Sequence, residues 1–263
     1  LQCFRNSNTH SNIICGNIKA ETIVNQFNHM KQIFRKIHKK LYRVKTNIIR
    51  KRKISFKNKF ISNDYGESRG TPINRFYAQH FFSNLGKINF GNCLEFGDTR
   101  YIDQFGNNVK KKVIFNYSKT FQKQKNIING NLTERDQLPE EEFDLIVCAF
   151  VLNFIFDTKL AIDNLFYMLK PNGRCIVILD GPLSQISNYD MKRWGDFWRF
   201  TDKSAKLAFK NGKFKIEKEN IYGNPYSSTA QLNGYCINEV DTNKLFPNHE
   251  DYQLLLTYSL IKS

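Results

Sequence analysis

The stretch that decides the fold is Glu142-Phe-Asp-Leu-Ile-Val-Cys-Ala149, followed by Lys170-Pro-Asn-Gly173 and then Arg174-Cys-Ile-Val-Ile-Leu-Asp180. Both long runs are apolar at consecutive rather than alternate positions, which predicts strands buried on two faces. Between them, helix signals cover about Asp157 to Leu169, and Pro-Asn-Gly marks a turn. Strand, helix and strand in that order imply a parallel sheet covered on both sides.

The same pattern extends in both directions. Upstream, Asn92 to Phe96 reads as a buried strand ending at Gly97, and Lys111 to Phe115 and Asn126 to Gly130 read as two more. Thr71-Pro72 offers an N-cap with Pro at the first helical position, predicting a helix to about Leu85. Only about a dozen residues separate the first strand from the second and about ten the second from the third, so these crossovers have room for little more than a turn of helix. Downstream, a helix is expected at about Thr201 to Lys210, strands at Lys213 to Glu219 and Gln253 to Lys262, and a further helix around Thr229 to Ile237.

Residues 1 to 20 are polar, without periodicity. From Glu21 to about Tyr42, the apolar positions Ile23, Phe27, Met30, Phe34, Ile37 and Leu41 make the stripe of an amphipathic helix whose other face is basic. Residues 31 to 60 hold 13 Lys or Arg and no Asp or Glu, so most of the net charge of +16 lies there; outside the block 27 basic residues face 24 acidic ones. The block therefore predicts where the chain docks, on a partner, an anionic membrane surface or nucleic acid, and says little about what a cleft binds. The expected division is 1–63, a basic leader and helix, and 64–263, an α/β domain. No run is long and apolar enough for a membrane span, and Leu1 to Arg5 lack the order of a signal peptide, so the expected place is cytoplasmic or peripheral to a membrane. The six cysteines show no metal spacing, so no metal site is expected, and Cys93, Cys148 and Cys175 read as reduced core residues.

Leu94-Glu-Phe-Gly97 at a strand end, Phe143-Asp-Leu-Ile-Val147, Val151-Leu-Asn-Phe-Ile155 and Leu169-Lys-Pro-Asn-Gly173 together resemble the class I S-adenosylmethionine-dependent methyltransferases. The resemblance covers about residues 64 to 263 and implies a Rossmann-like parallel sheet with an antiparallel last strand and helices on both faces. Ser68 to Tyr77 and Tyr189 to Thr201 are similar to a bacterial subgroup associated with glycosyltransferases and surface-glycan assembly. The implied cofactor is S-adenosylmethionine, held by Glu95, Gly97, Asp98, Asn116, Asn131, Leu132 and Phe150. The sequence departs from the family where a second loop glycine is replaced around Asp98-Thr99, and where Asn116 and Asn131 stand for carboxylates. Such losses predict weakened or lost cofactor binding.

In an open parallel sheet the ligand lies beyond the carboxyl ends of the strands, where strand order reverses. Ile186 to Thr201 should overhang that edge with aromatic faces and charged forks suited to a sugar-like or other small polar acceptor. Tyr189, Trp194, Trp198 and Arg199, with Arg69, Arg75 and Tyr101, are the expected acceptor contacts, although Trp194 and Trp198 also fit core anchors and Arg199 with Asp196 fits a structural ion pair. Asp190 and Asp196 are the candidate general bases, because an acceptor hydroxyl must lose its proton. Three functions follow. These are O-methyl transfer, a catalytically silent fold that binds a partner such as a glycosyltransferase, and a nucleic-acid methyltransferase docked through residues 31 to 60.

Overall fold

The consecutive apolar runs lie side by side in one eight-stranded sheet. The computed structural model describes residues 30–41, 60–62, 64–86, 88–89 and 91–263, and the chain divides into two units, Leu1–Asn58 and Lys59–Ser263. In the first unit, residues 30–41 form a helix with every residue exposed, including the apolar Met30, Ile33, Phe34, Ile37 and Leu41. The rest of the amphipathic stretch from Glu21 to Tyr42 lies outside the described residues. No described helix is long and apolar enough to cross a membrane.

The second unit has a main sheet of eight strands, β1 (Asn92–Phe96), β2 (Lys111–Tyr117), β3 (Gln122–Gln124), β4 (Ile127–Gly130), β5 (Phe143–Ala149), β6 (Leu169–Asp180), β7 (Phe214–Tyr222) and β8 (Leu255–Lys262), and two short strands, Ile88–Asn89 and Gly106–Asn107, that pair separately. Its helices are α1 (Ile73–Leu85), α2 (Arg100–Phe105), α3 (Thr158–Met168), α4 (Asn188–Arg193), α5 (Asp202–Asn211) and α6 (Pro225–Leu232). Strand order across the sheet is β3-β4-β2-β1-β5-β6-β8-β7. The five central strands from β4 to β6 run parallel, whereas β8 is antiparallel to both β6 and β7, and β3 is antiparallel to β4. The architecture is thus a Rossmann-like α/β sheet with an antiparallel last strand.

Side-chain alternation explains why the runs are apolar throughout. Leu94, Ile146, Cys148, Cys175 and Val177 face one core with α3 and α5, and their neighbours Cys93, Leu145, Val147, Ile176 and Ile178 face the other with α1, α2 and α6. Cys93, Cys148, Cys175 and Cys236 are buried free thiols, as a reduced core requires, and burial pushes Cys93 up to about 12. The Lys170-Pro-Asn-Gly173 turn bulges from β6, whose register against β5 jumps from Phe143↔Leu169 to Leu145↔Arg174.

Three expectations are corrected. The α1 cap position falls on Pro72 rather than Thr71, with no side-chain cap bond, because both residues are drawn into pairing with Cys236 and Ile237. The helix expected around Thr229–Ile237 is α6, beginning at Pro225, since Asn224 and Ser227 form a capping box and Asn233-Gly234 ends it. The second crossover contains no helix; a hairpin strand, β3, occupies the sheet edge instead, short and exposed throughout. The first crossover does hold the short helix expected of it, the six residues of α2.

Tyr77 ties α1 to the C-terminal loops. Its ring stacks on Tyr222 at 4.8 Å, and its hydroxyl donates to the Leu245 carbonyl at 2.7 Å. Tyr77→Phe keeps the stack and removes that bond, while the carbonyl keeps the Asn224 amide at 3.0 Å, so a loss of about 0.5 to 1.5 kcal/mol is expected in urea denaturation.

Candidate functional site

From β1 the sheet proceeds through β2 and β4 on one side and through β5 and β6 on the other, so the reversal of strand order lies between β1 and β5. The loops leaving these two strands separate and expose their carboxyl ends. The loop after β1 turns at Gly97, whose φ is +81°; an added Cβ there would meet no atom within 4 Å. The left-handed backbone favours glycine, and the open space beside it admits a ligand close to the chain. Its N–H donates to the Phe115 carbonyl at 3.0 Å, fastening the loop to the end of β2. Asp98 is exposed and turned to Arg100, accepting from its backbone N–H at 3.0 Å and pairing with its guanidinium at 3.5 Å.

Glu95 does not face this space. Its carboxylate is buried, and its two oxygens accept the N–H groups of Tyr101 and Ile102 at 3.1 and 2.9 Å, so it anchors the start of α2 beneath the loop. Burial pushes it up to about 7, against those two hydrogen bonds.

On the β2 and β4 side, Asn116 and Asn129 are directly opposed, and the Asn116 amide donates to the Asn129 oxygen at 3.1 Å. Asn131 begins the next loop, its oxygen accepting from the Thr133 N–H and hydroxyl at 3.1 and 3.0 Å. Leu132 is a core residue beneath it.

On the β5 side, Phe150 adopts φ +58°, unusual for a non-glycine, and its N–H donates to the Ile178 carbonyl. The Arg75 guanidinium from α1 lies 4.1 Å above the Phe150 ring and donates to the Tyr101 hydroxyl at 3.2 Å. Arg75, Tyr101 and Phe150 therefore meet at the switch point, whereas Arg69 does not join them. Its guanidinium donates to both Glu239 oxygens and to the Gly234 carbonyl, clamping the C-terminal loop, and this fork holds Glu239 down at about 2.

The overhang after β6 is present. Tyr189, Trp194 and Trp198 are all exposed in part; the Trp198 indole N–H donates to the Ile155 and Phe156 carbonyls, and Arg193 lies 3.7 Å over the Tyr189 ring. Arg199 grips Asp196 with two bonds of 2.5 and 2.7 Å, and Ser187 N–H adds a third at 3.1 Å. Burial works upward on Asp196, yet these partners outweigh it and hold the carboxylate below its usual range. With its side chain fully enclosed, Asp196 holds the overhang in place and is poorly suited to be a base. Asp190 sits on α4.

Asp180, at the end of β6, was not anticipated as a site residue. Burial raises it to about 6 despite Arg199 and Arg75, and its Oδ1 is enclosed with no hydrogen-bond partner. Tyr65, Asn153 and Gln185 stand in the same group. The rule that ligands sit at strand carboxyl ends would have pointed to Asp180; nothing in the sequence marks the other three.

Residues 93–177, from β1 into β6, match the family model described as a methyltransferase domain. Solved structures similar to the chain include an S-adenosylmethionine-dependent methyltransferase from Mesorhizobium loti, at 13% identity over 72% of this chain and 97% of that one, with a TM-score of 0.45. Others are the N-methyltransferase NodS from Bradyrhizobium japonicum WM9 in complex with S-adenosyl-L-homocysteine, at 16% over 76% and 93% with a TM-score of 0.44, and a methyltransferase from Archaeoglobus fulgidus, at 9% over 72% and 94% with 0.45. Comparison with curated proteins gives no match.

The Glu95 environment predicts a pH effect. In the folded chain this carboxyl keeps its proton up to about 7, whereas its ordinary value is 4.5, so its contribution to stability is lost as pH rises through that window. Glu95→Gln should flatten the fall of Tm between about pH 5 and about pH 8 relative to the parent, measured by thermal scans in matched buffers.

Proposed function

We propose that this chain transfers a methyl group from S-adenosylmethionine to a hydroxyl of a sugar, glycan-like or other small polar acceptor. The observation that carries the reading is Gly97, left-handed and open on its outer side, at the strand reversal of a methyltransferase domain. The cofactor supplies an electrophilic methyl group when bound. Gly97 gives its chain close approach to the backbone, and Arg75 offers a cation for its carboxylate. Asn116 and Asn131 offer amide groups to its ribose and adenine, with the Asn116 NH2 already engaged by Asn129. The acceptor hydroxyl loses its proton to a carboxylate at the same edge, where Asp180 and Asp190 stand and Asp196 is consumed by Arg199. The rim of Tyr189, Trp194 and Trp198 supports a glycan-like acceptor, since aromatic faces cover the apolar side of a sugar ring.

Asn116 also supports a second reading, a silent fold that binds a partner. A carboxylate receiving ribose hydroxyls makes bonds of about 1.5 to 3 kcal/mol, and an amide makes neutral ones of about 0.5 to 1.5. One titration separates the two readings. Calorimetry with S-adenosylmethionine should give a saturable heat that Gly97→Arg abolishes and that Asn116→Asp tightens by about tenfold. Absence of heat and of any thermal shift in the parent would leave the silent fold as the better reading.

A further inference from the structure

Among the described residues, eight buried side-chain nitrogen or oxygen atoms have no hydrogen-bond partner, and five of them belong to one cluster: both amide atoms of Asn153, Oδ1 of Asp180, Oε1 of Gln185 and Nε of Arg199. The four residues are linked. Arg199 donates to the Gln185 carbonyl at 2.7 Å and grips Asp196, whose near neighbour is the Asn153 side chain; the Phe200 N–H donates to the Asp180 carbonyl at 3.1 Å, and the Arg199 charge reaches the Asp180 carboxylate. Asn153 is only 1% exposed; its side chain lies near enough to Asp196 to help hold that carboxyl down, as Asn74 does for Asp180, yet neither amide atom of Asn153 has a partner in hydrogen-bonding geometry. Buried polar atoms in folded proteins are nearly always paired, so five unpaired ones in a single place call for a partner beyond the chain, an enclosed water or the hydroxyls of a ligand.

The place and the charge specify that partner. Asp180 ends β6, and Arg75 joins it to the cofactor edge, reaching the Asp180 carboxylate electrostatically while its guanidinium covers Phe150. Arg75 and Arg199 balance Asp180 and Asp196, which disfavours both a polyamine and a phosphate, each of which would bring net charge into the cluster. Three of the free atoms accept hydrogen bonds and two donate. Hydroxyl groups do both, and a neutral polyol meets every one of these requirements.

We propose that the cluster of Asp180, Asn153, Gln185 and Arg199 is a binding site for a neutral, hydroxyl-rich compound, one of whose hydroxyls donates to Asp180 Oδ1. That this compound is the methyl acceptor rests on the reading above; that it binds does not.

The test is made on the full chain without cofactor, with methyl glucoside and myo-inositol as probes and spermidine and inorganic phosphate as charged controls. Calorimetry should give binding of at least one polyol, weakened about 10- to 100-fold by Asp180→Asn, with neither control binding. Gln185→Met removes a second contact and should weaken the same polyol, which keeps the test decisive if the Asp180 variant fails to fold. Near pH 8, Asp180→Asn should leave the thermal midpoint unchanged or raise it, because it removes an enclosed charge; a purely structural carboxylate would lower it. Binding of neither polyol, preference for a charged control, or polyol affinity unchanged in both variants would overturn the proposal. If polyol binds in an Asp180-dependent way while S-adenosylmethionine gives no heat, the site stands and the methyl-transfer reading falls; the reverse outcome does the opposite.

Discussion

The constraint on which the rest depends is the parallel pairing of β1 with both of its neighbours. A strand flanked by β2 and β5 in the same direction cannot be joined to either by a hairpin, so the connections that lead from β1 to β2 and from β4 to β5 must cross a face of the sheet. Those crossings cover both faces, which is why Cys93 and Leu94, adjacent in sequence, are buried in two different cores. They also force the loops after β1 and β5 apart, leaving Gly97 and Phe150 on either side of an open edge, both with positive φ. Where the first crossover is short, a buried carboxylate supports it: Glu95 receives the first N–H groups of α2 from below.

The arginines divide between holding the fold and serving its edge. Arg69 is spent on Glu239 and Gly234, and the terminal nitrogens of Arg199 on Asp196, Trp198 and Gln185. Arg75 reaches across the strand reversal, touching Tyr101 and Phe150 and lying, like Arg199, within the field of Asp180. A bidentate pair such as Arg199 with Asp196 fixes direction as well as distance, and here it sets the overhang of α4 relative to β6.

The centre of the sheet is legible in the sequence because β1, β5 and β6 are apolar on both faces, a pattern that no loop and few helices share. The ends of elements were less so. Thr71-Pro72 carries a cap signal that pairing with Cys236 overrides, and Asn224-Pro225-Tyr226-Ser227, a complete capping box with proline, starts α6 four residues before the expected Thr229. Site residues followed the same division. The turn at Gly97 follows from a strand end, and Arg75 from a helix start. Asp180 was read as the end of a strand, and Asp196 was overvalued, because sequence shows a carboxylate but not the arginine that occupies it. Asn153 and Gln185 owe their interest to the absence of partners, a property that exists only in three dimensions.

The hairpin strand that replaces the second crossover helix has a consequence for the company the molecule keeps. A parallel sheet ending on β4 would present the backbone groups of four residues, Ile127 to Gly130, unpaired to any passing strand. Three residues of β3, Gln-Lys-Gln, close that edge with a strand too short and too polar to template another chain, and Lys123 extends from it to pair with Glu142. At the opposite edge β7 alternates exposed charged residues, Lys215, Glu217 and Glu219, with half-buried positions. Charge and brevity at the two margins thus act as gatekeepers against edge-to-edge aggregation, in a second unit whose own net charge is too small to keep copies apart by repulsion.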